Sequence, residues 1–274
     1  MSKIDFTETL ASGLQAYNTN VGQWWAHKTR NEAHMAAYMN IADHVVQCAR
    51  EEGGLIIDYG CGPGLLMKRL VDLLPAWKFL GIDGSKVMLR GAETWARTKR
   101  KGRPASVEFR LEKLPDFSVS TPKADIIVFT FPNIVSVASE RRQFEEIFRK
   151  DRDVAGLLAM KQEEGEGVEA LYDQLFMSRV VARNLRFLLR KGGLCVRADY
   201  SQGARDELGR FDRLSTLFEE GSLNRKQSRL KPQKFFHLLY SHFYPSAVIR
   251  DVYDQTKDKD FLEGGYLVSL LQAI

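Results

Sequence analysis

Short apolar runs that end in a carboxylate alternate with stretches of helical spacing through the first half of the chain. Leu55-Ile-Ile-Asp58 leads into Tyr59-Gly60-Cys61-Gly62-Pro63-Gly64, and Leu65 to Leu74 then has helical periodicity with Pro75 as its stop. This order predicts a strand, a glycine loop and a helix. Trp77 to Asp83 is a second apolar run closed by an acid, and Val87 to Arg97 follows with Met88, Leu89, Ala92 and Trp95 on one helical face. Val107 to Leu111 alternates as a strand does, and Ala124 to Phe131 is a continuous apolar run of the kind buried in a parallel sheet. Leu171 to Arg190 has helical intervals and closes on Arg190-Lys191-Gly192-Gly193, a cationic last turn with glycine caps, before a fifth strand at Leu194 to Asp199. Strands and helices alternating at this spacing imply a parallel sheet with crossover helices on both faces.

The C-terminal part differs. A helix is expected to open at Lys231-Pro232 and to run through Phe235 to Tyr240, carrying His237 and, farther on, His242. Val248 to Tyr253 and Tyr266 to Leu271 follow as strands. The polar residues between them, Asp254 to Gly265, are too few for a helical crossover, so an antiparallel pair is expected. Residues 1–50 are expected to form a helical, aromatic-rich lid with Tyr17, Trp24, Trp25 and Tyr38, in which His34 and His44 read as outer-face positions. Residues 51–274 are expected to form the main domain. Within it, residues 132–180 form an insertion after the fourth strand, strongly charged over 132–170, that would sit over the carboxyl ends of the strands.

Composition narrows the class. The 274 residues are 44% hydrophobic and 27% charged, the mix of a folded globular chain with a sizeable core. No apolar stretch approaches the roughly 20 residues of a membrane span and no secretory signal is evident, so a cytoplasmic protein is expected. Three scattered cysteines, Cys48, Cys61 and Cys195, indicate neither a disulfide framework nor a zinc site. The 40 Lys and Arg against 35 Asp and Glu give +5, too little to demand nucleic acid, and part of the excess lies in the run from Arg97 to Arg103.

The glycine loop lets backbone approach a ligand while the helix N-terminus offers N–H groups to an anionic part of it. Its third glycine, Gly64, falls one place early for the dinucleotide fingerprint, with Leu65 where the helix-packing glycine belongs, and no Gly-Lys-Ser/Thr follows for a P-loop. Asp83, at the end of the next strand, stands where a carboxylate accepts both hydroxyls of a ribose.

Leu55-Ile-Ile-Asp58-Tyr-Gly60-Cys-Gly62-Pro-Gly64, followed by Gly81-Ile-Asp83-Gly84-Ser85, resembles the first two motifs of the class I S-adenosylmethionine-dependent methyltransferases. The resemblance implies a doubly wound, seven-stranded, mostly parallel α/β sheet whose last strand is antiparallel. It implies that Gly60, Cys61, Gly62 and Gly64 line the methionyl half of the cofactor, that Asp58 orients its amino group, and that Asp83 with Gly84 holds the ribose. An acid after the third strand would meet the adenine amine. Strand counting puts Glu112 there, beside Lys113, whereas counting back from Leu114-Pro115 lands on Arg110. Thr130 and Phe131 would contact the cofactor, and Asn133 the substrate. The segment Tyr17…Trp24-Trp25…Thr29-Arg30 is similar, more loosely, to the closing segment of glycine N-methyltransferase-like enzymes, which would put Trp25 near the sulfonium, Arg30 on the cofactor carboxylate, and Tyr17 and Trp24 towards substrate. An ordinary core helix with buried tryptophans remains the other reading of that segment.

Methyl transfer from a sulfonium requires positioning and water exclusion more than a catalytic group. Where the acceptor must lose a proton a general base is needed, and His27 is the residue expected to serve. Phe129-Thr-Phe-Pro-Asn133 supplies no acids for metal-assisted catechol methylation and misorders the tetrad of DNA base methylation, so no metal is expected and an exocyclic-amine DNA enzyme is disfavoured. The expected activity is methylation of a small-molecule acceptor. Alternatives are an RNA or protein methyltransferase, which the basic run favours, and a non-catalytic or NAD-binding protein of similar fold.

Overall fold

The computed structural model describes residues 30, 32–99, 106–112, 120–131, 184–201, 235–246 and 265–274. These form one seven-stranded sheet with β1 (Leu55–Tyr59), β2 (Lys78–Asp83), β3 (Val107–Leu111), β4 (Ala124–Thr130), β5 (Leu189–Ser201), β6 (Phe236–Pro245) and β7 (Gly265–Ala273). The strand order is β3-β2-β1-β4-β5-β7-β6, and only β7 runs antiparallel to its neighbours. Helices α1 (Glu32–Cys48), α2 (Leu65–Leu73) and α3 (Lys86–Lys99) pack on one face of it. Strand order reverses between β1 and β4, the place where open α/β sheets leave a crevice at the carboxyl ends of their strands.

Side chains alternate across a sheet, so Ile56, Asp58, Val128, Val196, Ala198, Val268 and Tyr266 share the face that α1 covers. Ala37, Ile41, Ala42 and Val45 of α1 are fully buried among the apolar members of that set. Part of the segment expected to be a lid is therefore a core helix; residues 1–29 lie outside the described residues.

Several expectations are corrected. The helix expected through Phe235 to Tyr240 is the edge strand β6, which places His237 and His242 on a strand. The antiparallel partner of Tyr266 to Leu271 is β6 on one side and β5 on the other; Val248 to Tyr253 lies outside the described residues. The aromatic and apolar cluster at 235–240 suits helix or strand by local propensity, and pairing with β7 decides between them. Helical structure ends at 188 and β5 begins at Leu189. Between the pairs Ala124↔Leu189 and Ile126↔Leu194 the ladder bulges, with Gly192 at φ 74°, so the glycines shape a bulge instead of a cap. His34 is fully buried, and His44 turns towards the sheet, its Nδ1 2.7 Å from the Tyr240 hydroxyl and its Nε2 2.8 Å from that of Tyr244. Neither is an outer-face residue, because α1 presents both towards the sheet.

The amino edge of the sheet is tied at Asp125. Its Oδ2 accepts the Leu55 N–H at 2.9 Å, and its Oδ1 meets Arg50 at 2.8 Å and Arg190 at 2.9 Å. One buried carboxylate so joins the start of β1, the start of β4 and the bulge of β5. Asp125→Ala leaves the Leu55 N–H without its partner and is expected to cost about 2–3 kcal/mol in urea unfolding, whereas Arg50→Ala, on an exposed partner, costs under about 1 kcal/mol.

Candidate functional site

At the carboxyl edge, β1 passes into a loop with three left-handed glycines, Gly60 (φ 86°), Gly62 (φ 52°) and Gly64 (φ 72°). The Gly60 and Cys61 N–H groups both donate to the Ile82 carbonyl, at 2.7 and 3.0 Å, so the loop folds back over the end of β2. The last two glycines have different reasons. A Cβ at Gly64 would lie 2.8 Å from Trp95 Nε1 and 3.1 Å from the Ala92 Cβ, so this glycine lets α3 approach the loop. A Cβ at Gly62 would meet nothing within 4 Å; the space above it is open.

Asp83 holds the loop in place. Its Oδ2 accepts the Gly62 N–H at 2.8 Å, its Oδ1 accepts the Ser85 N–H at 2.8 Å, and its carbonyl accepts the Glu112 N–H at 3.1 Å. Burial raises the Asp83 pKa, and the N–H groups of Ser85, Gly62 and Gly84 pull it back. The carboxylate keeps acceptor capacity for a further donor. Ser85, absent from the site read in the sequence, caps α3 through its Oγ, 3.3 Å from the Met88 N–H. Its signal was its place in Asp83-Gly-Ser.

Asp58, one strand away, is 2% exposed, and its Oδ1 has no hydrogen-bond partner. Burial and the nearby charge of Asp83 push its pKa up to about 7. Cys61 is buried, and burial with the two acids holds its thiol well above the usual range, which makes it a poor nucleophile. Glu112 directly follows β3 beside Asp83, whereas Arg110 lies within β3 and pairs with Glu108 at 2.7 Å.

Thr130 ends β4, and Phe131 follows with φ 47°, a left-handed conformation rare for a bulky residue and enriched at functional sites. Its ring meets His34, Tyr38 and Tyr266 edge-on, with centroids 6.0, 6.1 and 5.9 Å away. Burial lowers the His34 pKa to about 4, so that ring is neutral. The structure thus gathers Asp58, Gly60, Cys61, Gly62, Gly64, Asp83, Gly84 and Glu112 around one loop, with Thr130 and Phe131 on the adjacent strand. Arg30 is exposed just before α1. Tyr17, Trp24, Trp25, His27, Lys113 and Asn133 lie outside the described residues. Tyr38 was visible in the sequence only as one aromatic of a helical segment.

Among the described residues no group of three His, Cys, Asp or Glu could hold a metal ion, and no helix is long and apolar enough to cross a membrane.

Residues 56–151 match a family model described as a methyltransferase domain. No curated protein sequence matches the chain. Magnesium protoporphyrin IX methyltransferase (ChlM) from Synechocystis PCC 6803, solved with bound SAH, is similar over 96% of this chain and 99% of its own, at 11% identity and TM-score 0.54. The N-methyltransferase NodS from Bradyrhizobium japonicum WM9, in complex with S-adenosyl-L-homocysteine, is similar over 97% and 98% at 14% identity and TM-score 0.52. The [4+2]-cyclase SpnF is similar over 89% and 83% at 12% identity and TM-score 0.54. At these identities the likeness is one of fold.

The raised Asp58 pKa fixes a pH dependence of stability. The native state keeps a proton that the unfolded chain releases above its ordinary 3.8, so this contribution is complete below that pH and is lost as pH rises through about 7. Asp58→Asn cannot ionise. Urea unfolding at pH 5 and at pH 8 is expected to show the variant gaining stability relative to the wild type at the higher pH.

Proposed function

We propose that this chain is a class I S-adenosylmethionine-dependent methyltransferase, as its matched domain and its fold support, and that it methylates a small-molecule acceptor. The observation that carries the reading is the coincidence of the matched stretch with the Asp83-clamped glycine loop and the unpartnered Asp58. Those residues fit the cofactor: open space over Gly62, remaining acceptor capacity on Asp83, and a buried carboxyl oxygen of Asp58 that lacks a hydrogen-bond partner. Support for a small acceptor comes from the neighbour named as a magnesium protoporphyrin IX methyltransferase.

In this reading the residues around the glycine loop would hold the cofactor, and the chemistry it would supply there is an electrophilic methyl carried on a sulfonium. Gly60, Cys61, Gly62 and Gly64 present backbone to the methionyl half. Asp83 and Gly84 receive the ribose hydroxyls, and Glu112, with Lys113 next in the chain, faces the adenine. Thr130 and Phe131 close the loop side of the cofactor. Trp25, Arg30, Tyr17, Trp24 and Asn133 complete the enclosure from the N-terminal segment and from the stretch after β4, and His27 takes a proton where the acceptor has one to lose. The chain's work is orientation and exclusion of water. In this reading the cap expected of residues 1–50 is confined to the part before α1, because α1 itself belongs to the core of the domain.

Calorimetry is expected to show S-adenosylhomocysteine binding at micromolar strength or better and no heat from NADH. Asp83→Ala removes charge-assisted hydrogen bonds of about 1.5–3 kcal/mol each, so the Kd should rise at least tenfold. Incubating the pure protein with methyl-labelled cofactor and a metabolite extract identifies the acceptor by its mass gain. NADH binding in preference, or cofactor binding with no labelled product from any extract, would overturn the reading, the latter in favour of a fold turned to other chemistry, as the cyclase neighbour's name illustrates.

A further inference from the structure

Tyr38 lies on the α1 surface that packs on the core containing Ile56 and Val128, and Asp58 shares the pleat face of both. Its ring is edge-on to Phe131 at 6.1 Å and 67°. Burial, and then the Asp58 charge, raise its phenol, so the hydroxyl stays protonated and lies within electrostatic reach of the carboxylate. Yet the two groups make no hydrogen bond: Asp58 Oδ1 is buried with no partner at all. A buried carboxylate oxygen without a donor is costly, and natural structures rarely keep one that nothing fills. The group that belongs between them carries N–H donors and positive charge, since it must satisfy a carboxylate and can donate to a phenol oxygen as well.

We infer that Tyr38 is a cofactor-positioning residue, its hydroxyl and Asp58 Oδ1 forming a two-point acceptor for the amino group of the cofactor's methionyl end. This rests on the methyltransferase reading above. Phe131 then has a defined part: from a left-handed backbone its ring packs edge-on against that of Tyr38.

The test compares S-adenosylhomocysteine with 5′-methylthioadenosine, which keeps the nucleoside and lacks the amino acid end. Tyr38→Phe preserves the ring and its packing. It is expected to weaken S-adenosylhomocysteine at least about tenfold, the loss of one hydrogen bond to a charged group, and to leave methylthioadenosine within twofold of wild type. Equal affinity for S-adenosylhomocysteine in the variant, or equal weakening of both ligands, would overturn the inference. A second measurement needs no variant: wild-type protein should bind the des-amino analogue of S-adenosylhomocysteine at least tenfold more weakly than the parent, and parity would also overturn it. If the wild type binds none of these ligands, it is the methyltransferase reading that fails.

Discussion

The carboxyl edge of the sheet depends on one carboxylate. A loop with three residues in left-handed conformation has no regular ladder of its own, and glycine gives up more backbone freedom on ordering than any other residue. Asp83 compensates by receiving Gly62 on one oxygen and Ser85 on the other, while its carbonyl receives Glu112. The loop after β1, the start of α3 and the exit of β3 are therefore referenced to one residue at the end of β2. Were that reference lost, the open space above Gly62 would have no fixed floor.

The two edges of the sheet solve opposite problems. At the amino edge Asp125 is buried with a backbone donor and two arginines on it, a satisfied anion that joins β1, β4 and β5. At the carboxyl edge Asp58 is as buried and lacks such partners, and its proton affinity rises accordingly. The chain had the means to satisfy a buried acid and does so at the end remote from the glycine loop. The unpartnered acid oxygen and the left-handed Phe131 both lie at the edge that carries the glycine loop.

What was legible in the sequence follows from how local its cause is. β1 to β4, α2 and α3 rest on apolar runs, a glycine loop and Pro75, all acting within a few residues, and they lie within a few residues of where the pattern puts them. Asp58, Asp83 and the glycines were legible for the same reason. β6 was not, because Phe236 to Tyr240 suits helix or strand and only the ladder to β7 decides between them. Nor were the inward turns of His34 and His44, which depend on tyrosines about two hundred residues away and on the face of the sheet that α1 covers. Tyr38 escaped because its meaning comes from Asp58 and Phe131, on strands that sequence spacing does not relate to it.

The polar bridges between α1 and the last strands bear on how the chain folds. Asn40 donates to the Tyr266 hydroxyl across 226 positions, and His44 reaches Tyr240 and Tyr244 across 196 and 200. Tyr266 in turn stacks on Tyr244 with ring centroids 5.0 Å apart. Contacts this distant in sequence bring high loop-closure entropy and slow folding. During synthesis α1 emerges before any strand of the sheet but meets these tyrosines only after β6 and β7 have been made. Until then its buried stripe of Ala37, Ile41 and Val45 has only part of its cover, a window in which a chaperone or a premature partner competes with the protein's own last strands.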